Sequence, residues 1–195
     1  MNQHPVSPWN IPNALTVFRI LGVPIFGYFL LVDGGESIEM RIWATLIFSV
    51  LMITDRIDGS IARKYQLITD FGKIADPIAD KALTGMAFIG LSIIGGIWWW
   101  VTILILVREW GITFMRFGMM KYQVMPASQG GRVKTVTQTA AIIGYLLPLE
   151  LWTGWWASGL QWVAHILLAV ALFVTLITGI WYVRDAVNLR KDQQA

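Results

Sequence analysis

The chain has 195 residues, of which 56% are hydrophobic, only 14% are charged and none is Cys. A soluble domain carries roughly a quarter charged residues, so this composition excludes an ordinary cytosolic globule, and its apolar content excludes an intrinsically disordered chain. The lack of Cys removes disulfide scaffolds, thiolate metal sites and cysteine nucleophiles, while eleven Trp and a formal net charge of only +3 suit a surface held against lipid with aromatic residues at its edges.

A membrane-spanning helix needs about 20 mainly apolar residues, and six such runs are predicted. Ahead of them, Met1 to Asn13, with Trp9, Ile11 and Pro12, reads as a short interfacial helix on the cytoplasmic surface. It has neither the basic start nor the small-residue cleavage site of a signal peptide. The first run is Ala14 to Val32, interrupted by Arg19. The second is apolar from Ile42 to Ile53 and continues into Thr54, Asp55 and Arg56. The third follows Asp80 and ends at Gly95-Gly96. The fourth starts at Trp98, and its helical pattern continues past Val107 to about Met120. The fifth runs from Val136 to Leu151 and the sixth from Leu160 to Val183, ending at Arg184.

Thirteen of the fifteen basic residues, all except Arg19 and Arg41, fall on one side of these runs. The connections on the other side hold Asp33, Glu36, Glu39 and Glu150, together with the clusters Trp98 to Trp100 and Trp152, Trp155, Trp156. Cytoplasmic loops concentrate Lys and Arg, and Trp gathers at the interfaces, so both termini are expected in the cytoplasm. No repeat or linker divides the sequence. The expectation is one all-α integral membrane domain across residues 1–195, with six transmembrane helices and a short interfacial helix.

Charges in such a protein mark its chemistry, because each costs several kcal/mol unless partnered. Asp55 and Asp58 are three apart and share a helix face, as do Asp76 and Asp80, four apart, with Gly72 one turn earlier on the same ridge. If the second and third helices are antiparallel neighbours, all four carboxylates converge. They then repel one another and cannot all remain ionised unaided. Two divalent cations resolve this, and oxygen ligands without Cys or a nearby His point to Mg²⁺ or Mn²⁺. A pair of such ions about 4 Å apart is the usual clamp for displacement at phosphorus. The alternative is a solvated helix end in which each Asp pairs with Arg56, Arg63, Lys73 or Lys81. The regular placement of all four favours the metal site.

The spacing Asp55-x-x-Asp58-Gly59-x-x-Ala62-Arg63, eight residues, Gly72, three residues, Asp76, three residues, Asp80 matches every fixed position of one signature. On these residues the chain resembles the CDP-alcohol phosphatidyltransferases. The opening Asn10 to Arg19, with Asn13 and Thr16, the pair Arg108-Glu109, and the stretch Gly131 to Gln138 are similar to the bacterial members that use glycerol 3-phosphate. The resemblance implies a six-helix, usually homodimeric enzyme of the bacterial cytoplasmic membrane, with its cavity open to the cytoplasm. Such enzymes take membrane lipid, not nucleic acid, as partner. They transfer the phosphatidyl group of CDP-diacylglycerol to an alcohol and release CMP. The resemblance also implies that Asp55, Asp58 and Asp76 hold two metals, and that Asp80 completes the site and acts as general base. Gly59 and Ala62 would admit the nucleotide close to the backbone, although small residues also serve helix packing. Arg63 can grip a phosphate or anchor the cytoplasmic side. Thr69 either adds a hydroxyl to the diphosphate or caps the third helix. Arg19 is placed near the lipid donor, its alternative being to snorkel to the surface.

The acceptor needs a separate site. Arg108 and Arg116, eight apart and about 80° apart around the fourth helix, form with Lys134 a basic set suited to an anionic head. The acceptor implied by the resemblance is sn-glycerol 3-phosphate. Alternatively these residues anchor to lipid phosphates or pair with Glu109. Two other functions compete: the same transfer to inositol phosphate, serine or phosphatidylglycerol, and transport of divalent cations. Carboxylates at helix ends and the lack of an internal repeat argue against the transporter.

Overall fold

Asn10 accepts a hydrogen bond from the Asn13 amide at 2.9 Å, and Pro12 lies in the first turn, so helix α1 (Ile11–Leu31) begins there. Ile11 to Asn13, expected on the interface, thus belong to α1, and Met1 to Trp9 lie outside the described residues. The computed structural model describes residues 10–67, 69–119, 129–149 and 154–192, with six helices and no strand among them.

Helix α2 (Ile38–Lys64) is capped by Ser37 and passes through the charged motif without a break. It stops at Gln66, which takes a left-handed φ of 55°, while the Leu67 amide closes onto the Ala62 carbonyl at 3.0 Å. Helix α3 (Asp70–Ile93) is capped by Thr69 and ends before Gly95, whose φ is +78°. Helices α4 (Trp99–Met119), α5 (Gln129–Leu146) and α6 (Trp155–Asp192) complete the order. Helix α5 ends earlier than the apolar run suggests because Pro148 disfavours helix just before it. Helix α6 starts earlier, directly after Gly154, and continues past Arg184 through Asp185–Asp192, a stretch without Gly or Pro.

The described residues fall into two compact units, one within Met1–Ile94 and Leu146–Pro148, the other within Gly95–Tyr145 and Leu149–Ala195. In the first unit α1 packs closely on both α2 and α3. The reason lies in the buried stripe of α1, which includes Asn13, Thr16, Arg19, Gly22, Phe26 and Leu30. Gly22 admits Leu51, whose Cδ2 would stand 2.6 Å from a Cβ at that position, and Phe26 meets Phe48 with ring centroids 5.5 Å apart. Arg41 is buried as well, with Nε and Nη2 donating to the Leu146 and Leu147 carbonyls at 3.0 and 3.1 Å. In the second unit α4 packs on α6, and Gln138 donates to the Thr175 hydroxyl at 3.1 Å.

Two helices, α1 and the Trp155–Arg184 part of α6, are long and apolar enough to cross a membrane, with window hydropathies of 1.9 and 2.5. Only 33% of each window is buried. Their outward residues, such as Phe18, Leu21 and Ile25 on α1 and Ile166, Phe173 and Ile180 on α6, are large, apolar and exposed. In the other four helices polar and charged side chains interrupt the apolar stretch, as Asp55, Arg56 and Asp58 do in α2.

Candidate active site

Three polar residues enter an otherwise apolar helix at intervals of three: Asn13, Thr16 and Arg19. Each step turns the side chain by about 60°, so the three sweep from α3 around to α2. Asn13 Nδ2 donates to the Thr69 hydroxyl at 2.9 Å, and that hydroxyl also caps the Gly72 amide at 3.0 Å. The Thr16 hydroxyl donates to Asp76 Oδ1 at 2.6 Å. Arg19 is fully buried. Its Nη1 lies 2.8 Å from Asp55 Oδ1 and its Nη2 bonds Asp58 Oδ2. Arg19 therefore turns inward rather than snorkelling, with two carboxylates as ion-pair partners inside the bundle.

The four motif carboxylates, two on α2 and two on α3, are brought together beside α1. Asp55 lies within electrostatic range of Asp58, Asp76 and Asp80. Asp58 is almost completely buried, whereas the Asp55 and Asp80 side chains are 30% and 32% exposed, so the cluster is open at their end. Of the surface bases weighed as partners, Lys81 reaches Asp80 at 3.4 Å and Lys73 pairs with the exposed Asp70 at 2.8 Å. Arg56 is exposed, and the Arg63 side chain lies outside the described part. Carboxylates joined by a threonine hydroxyl make a hard-oxygen donor set that suits Mg²⁺ or Mn²⁺. The groups are arranged around Arg19, and among the described residues no three Asp, Glu or His side chains form a cation-holding group.

Next to this cluster a cavity of about 190 Å³ is lined by residues including Asn13, Gly59, Ala62, Thr69, Gly72 and Asp76. Gly59 and Ala62 line this cavity, and Thr69 performs its capping alternative while lining the same space. Asn13 and Thr16 received no individual role from the sequence, although polar side chains on one face of an apolar run are a usable signal. A side chain at Gly72 would be crowded, because a Cβ there would stand 3.0 Å from Asn13 Oδ1 and 3.3 Å from Thr69 Oγ1. Replacing Gly72 by Val is expected to weaken binding of the ligand of this cavity by about 5- to 150-fold, the equivalent of 1–3 kcal/mol of overpacking. Titration of CDP against the variant in detergent checks this.

In the second unit Arg108 and Lys134 meet at one carboxylate. Lys134 Nζ is 2.5 Å and Arg108 Nη1 3.1 Å from Glu109 Oε1, and Arg108 Nη2 donates to the Thr178 hydroxyl at 2.6 Å. Pairing with Glu109, weighed as the alternative for these cations, is therefore present. The Arg116 side chain lies outside the described part.

Comparison with known proteins bears on the same residues. The model of the CDP-alcohol phosphatidyltransferase family matches residues 9–181. A "probable phosphatidylglycerophosphate synthase" of Mycobacterium tuberculosis is 44% identical over 179 residues, covering 92% of this chain and 82% of that protein. Proteins named CDP-diacylglycerol–glycerol-3-phosphate 3-phosphatidyltransferase are 34% identical in Bacillus subtilis, covering 88% of this chain and 92% of the relative, and 34% identical in Escherichia coli, covering 82% and 88%. The matched span takes in the whole Asp55 to Asp80 motif, the α1 residues that meet it and the Arg108, Glu109, Lys134 group, and the chain belongs to the CDP-alcohol phosphatidyltransferase family.

Proposed function

We propose that this chain is an integral enzyme of the bacterial cytoplasmic membrane. In this reading it has six spans, both termini in the cytoplasm, one catalytic domain over residues 1–195 and a homodimeric assembly. Its reaction is transfer of the phosphatidyl group from CDP-diacylglycerol to sn-glycerol 3-phosphate, giving phosphatidylglycerol phosphate and CMP. The observation that carries the reading is the complete eight-position motif, with its four carboxylates gathered beside a cavity lined by Gly59, Ala62 and Thr69. The names of the relatives support the acceptor, and the exposed apolar faces of α1 and α6 support the membrane setting.

Asp55, Asp58, Asp76 and Asp80 would hold two divalent cations, Mg²⁺ or Mn²⁺, which when bound neutralise the diphosphate and stabilise the CMP leaving group. The chain's own residues do the rest. Gly59 and Ala62 let the nucleotide approach the α2 backbone. Arg63 and Thr69 address the diphosphate, and Arg19 stands on the donor side, next to Asp55 and Asp58. Arg108, Lys134 and Arg116 hold the acceptor phosphate. Asp80, on the open side of the cluster, takes the proton from the acceptor 1-hydroxyl as its oxygen attacks the β-phosphorus. The bond from that phosphorus to the CMP oxygen breaks in the same displacement.

Purified protein supplied with CDP-diacylglycerol, glycerol 3-phosphate and Mg²⁺ or Mn²⁺ is expected to release CMP, and chelation is expected to stop it. Release only with inositol phosphate, or no release with any alcohol of a panel, defeats this assignment. Metal-driven ion flux in vesicles without CMP release would favour the transporter.

A further inference from the structure

Arg19 stands out among the buried groups. It lies in the middle of an apolar helix, is fully buried, and gives one guanidinium to two carboxylates of the motif. Its Nε and Nη1 have no hydrogen-bond partner among the described residues, so Asp55 is held by charge alone. A buried donor without a partner is costly, so the residue is not placed there for an ideal set of hydrogen bonds. It is placed by the charge of Asp55 and Asp58, which cannot remain ionised and buried together without a cation.

We propose that Arg19 is a resident counter-cation that competes with the divalent metal for Asp55 and Asp58. The inference rests on the metal-site reading of these two residues given above. Oδ1 of Asp55 and Oδ2 of Asp58 are the atoms the guanidinium holds, and the same oxygens are the ones a cation needs. A divalent ion and the guanidinium carry like charge and cannot share those oxygens at contact distance. Entry of the ion therefore requires the fork to move off at least one carboxylate. Two consequences follow. The metal-free chain keeps its α1–α2 packing because the carboxylates are never left unpaired. The metal affinity is lower than the four carboxylates alone would give, because each cation must displace the one already present. The two effects are linked, since a competitor weakens the other ligand by the same factor that it is itself weakened.

The test is Mn²⁺ binding to the detergent-solubilised full chain, followed by the loss of the free-ion electron paramagnetic resonance signal, together with thermal unfolding without and with Mn²⁺. Arg19→Gln is expected to bind Mn²⁺ about 5- to 150-fold more tightly, the usual range for coupling between two ligands. Its metal-free unfolding temperature is expected to fall, and Mn²⁺ to restore more of it than in the parent. Arg19→Lys keeps the charge without the fork and is expected to lie between parent and Gln variant, which provides a measurement even where the Gln variant does not fold. Equal or weaker Mn²⁺ binding in the Arg19 variants overturns the proposal and makes Arg19 a support of the metal site. Asp58→Asn is the separate arm. Its loss of Mn²⁺ binding upholds the metal-site reading, and unchanged binding there removes that reading, a result distinguishable from the Arg19 series.

Discussion

Replacing Asp80 by Asn is expected to lower the rate of CMP formation about 10²- to 10⁴-fold, the usual contribution of a positioned general base. The substitution keeps the size of the side chain and removes only its ability to accept a proton. Asp80 is the motif carboxylate best suited to this. It is partly exposed, at the open end of the cluster, and its nearest ion-pair partner is Lys81 at 3.4 Å, whereas Asp55 and Asp58 are bound to Arg19 and Asp76 to Thr16. A single-turnover measurement of CMP formation, paired with a CDP-diacylglycerol binding assay, separates the roles. Loss of rate with binding largely retained assigns the base, and loss of binding with the rate recasts Asp80 as a metal ligand.

The second large effect is expected at Lys134. Its ammonium and the Arg108 guanidinium both reach Glu109 Oε1, and their side chains and that of Glu109 are only about a tenth exposed. Two cations on one carboxylate leave a net positive charge in a poorly solvated place, which is the condition for binding an anionic head. Lys134→Met is expected to raise the KM for glycerol 3-phosphate about 30-fold or more, since truncating one member of a buried hydrogen-bonded charge pair costs about 2–5 kcal/mol. The KM for CDP-diacylglycerol should change little. Steady-state kinetics with each substrate varied in turn checks this. A rise confined to the lipid substrate would move the acceptor phosphate away from Lys134.

The helical spacing of the carboxylates was legible in the sequence, and α2 and α3 carry Asp55, Asp58, Asp76 and Asp80 on continuous helices. The sequence also located the turn at Gly95-Gly96, since a left-handed backbone there wants Gly. What it missed was the part played by α1. Helical periodicity shows which face of a helix is polar, but not which neighbour receives it. The expectation of α2 beside α3 left out an α1 that packs closely on both. Asn13, Thr16 and Arg19 were visible as intrusions into an apolar run. Their partners Thr69, Asp76 and the Asp55–Asp58 pair lie about 40 to 60 residues away, a separation that no local pattern encodes. Helix ends shifted for local reasons: the Asn10 cap moved the start of α1 forward, and Pro148 cut α5 short.

The unbroken course of α2 has a consequence for where the reaction occurs. At about 1.5 Å per residue, Asp55 lies roughly 26 Å along the rod from Ile38 and the helix is roughly 40 Å long, against a hydrocarbon layer of about 30 Å. Under the membrane reading proposed above, an α2 that crosses from Ile38 carries Asp55 and Asp58 to the far edge of that layer, beside the lipid headgroups. The lipid donor would then react without being lifted out of the bilayer, its acyl chains remaining among those of its neighbours, and only the small water-soluble reactant would have to travel.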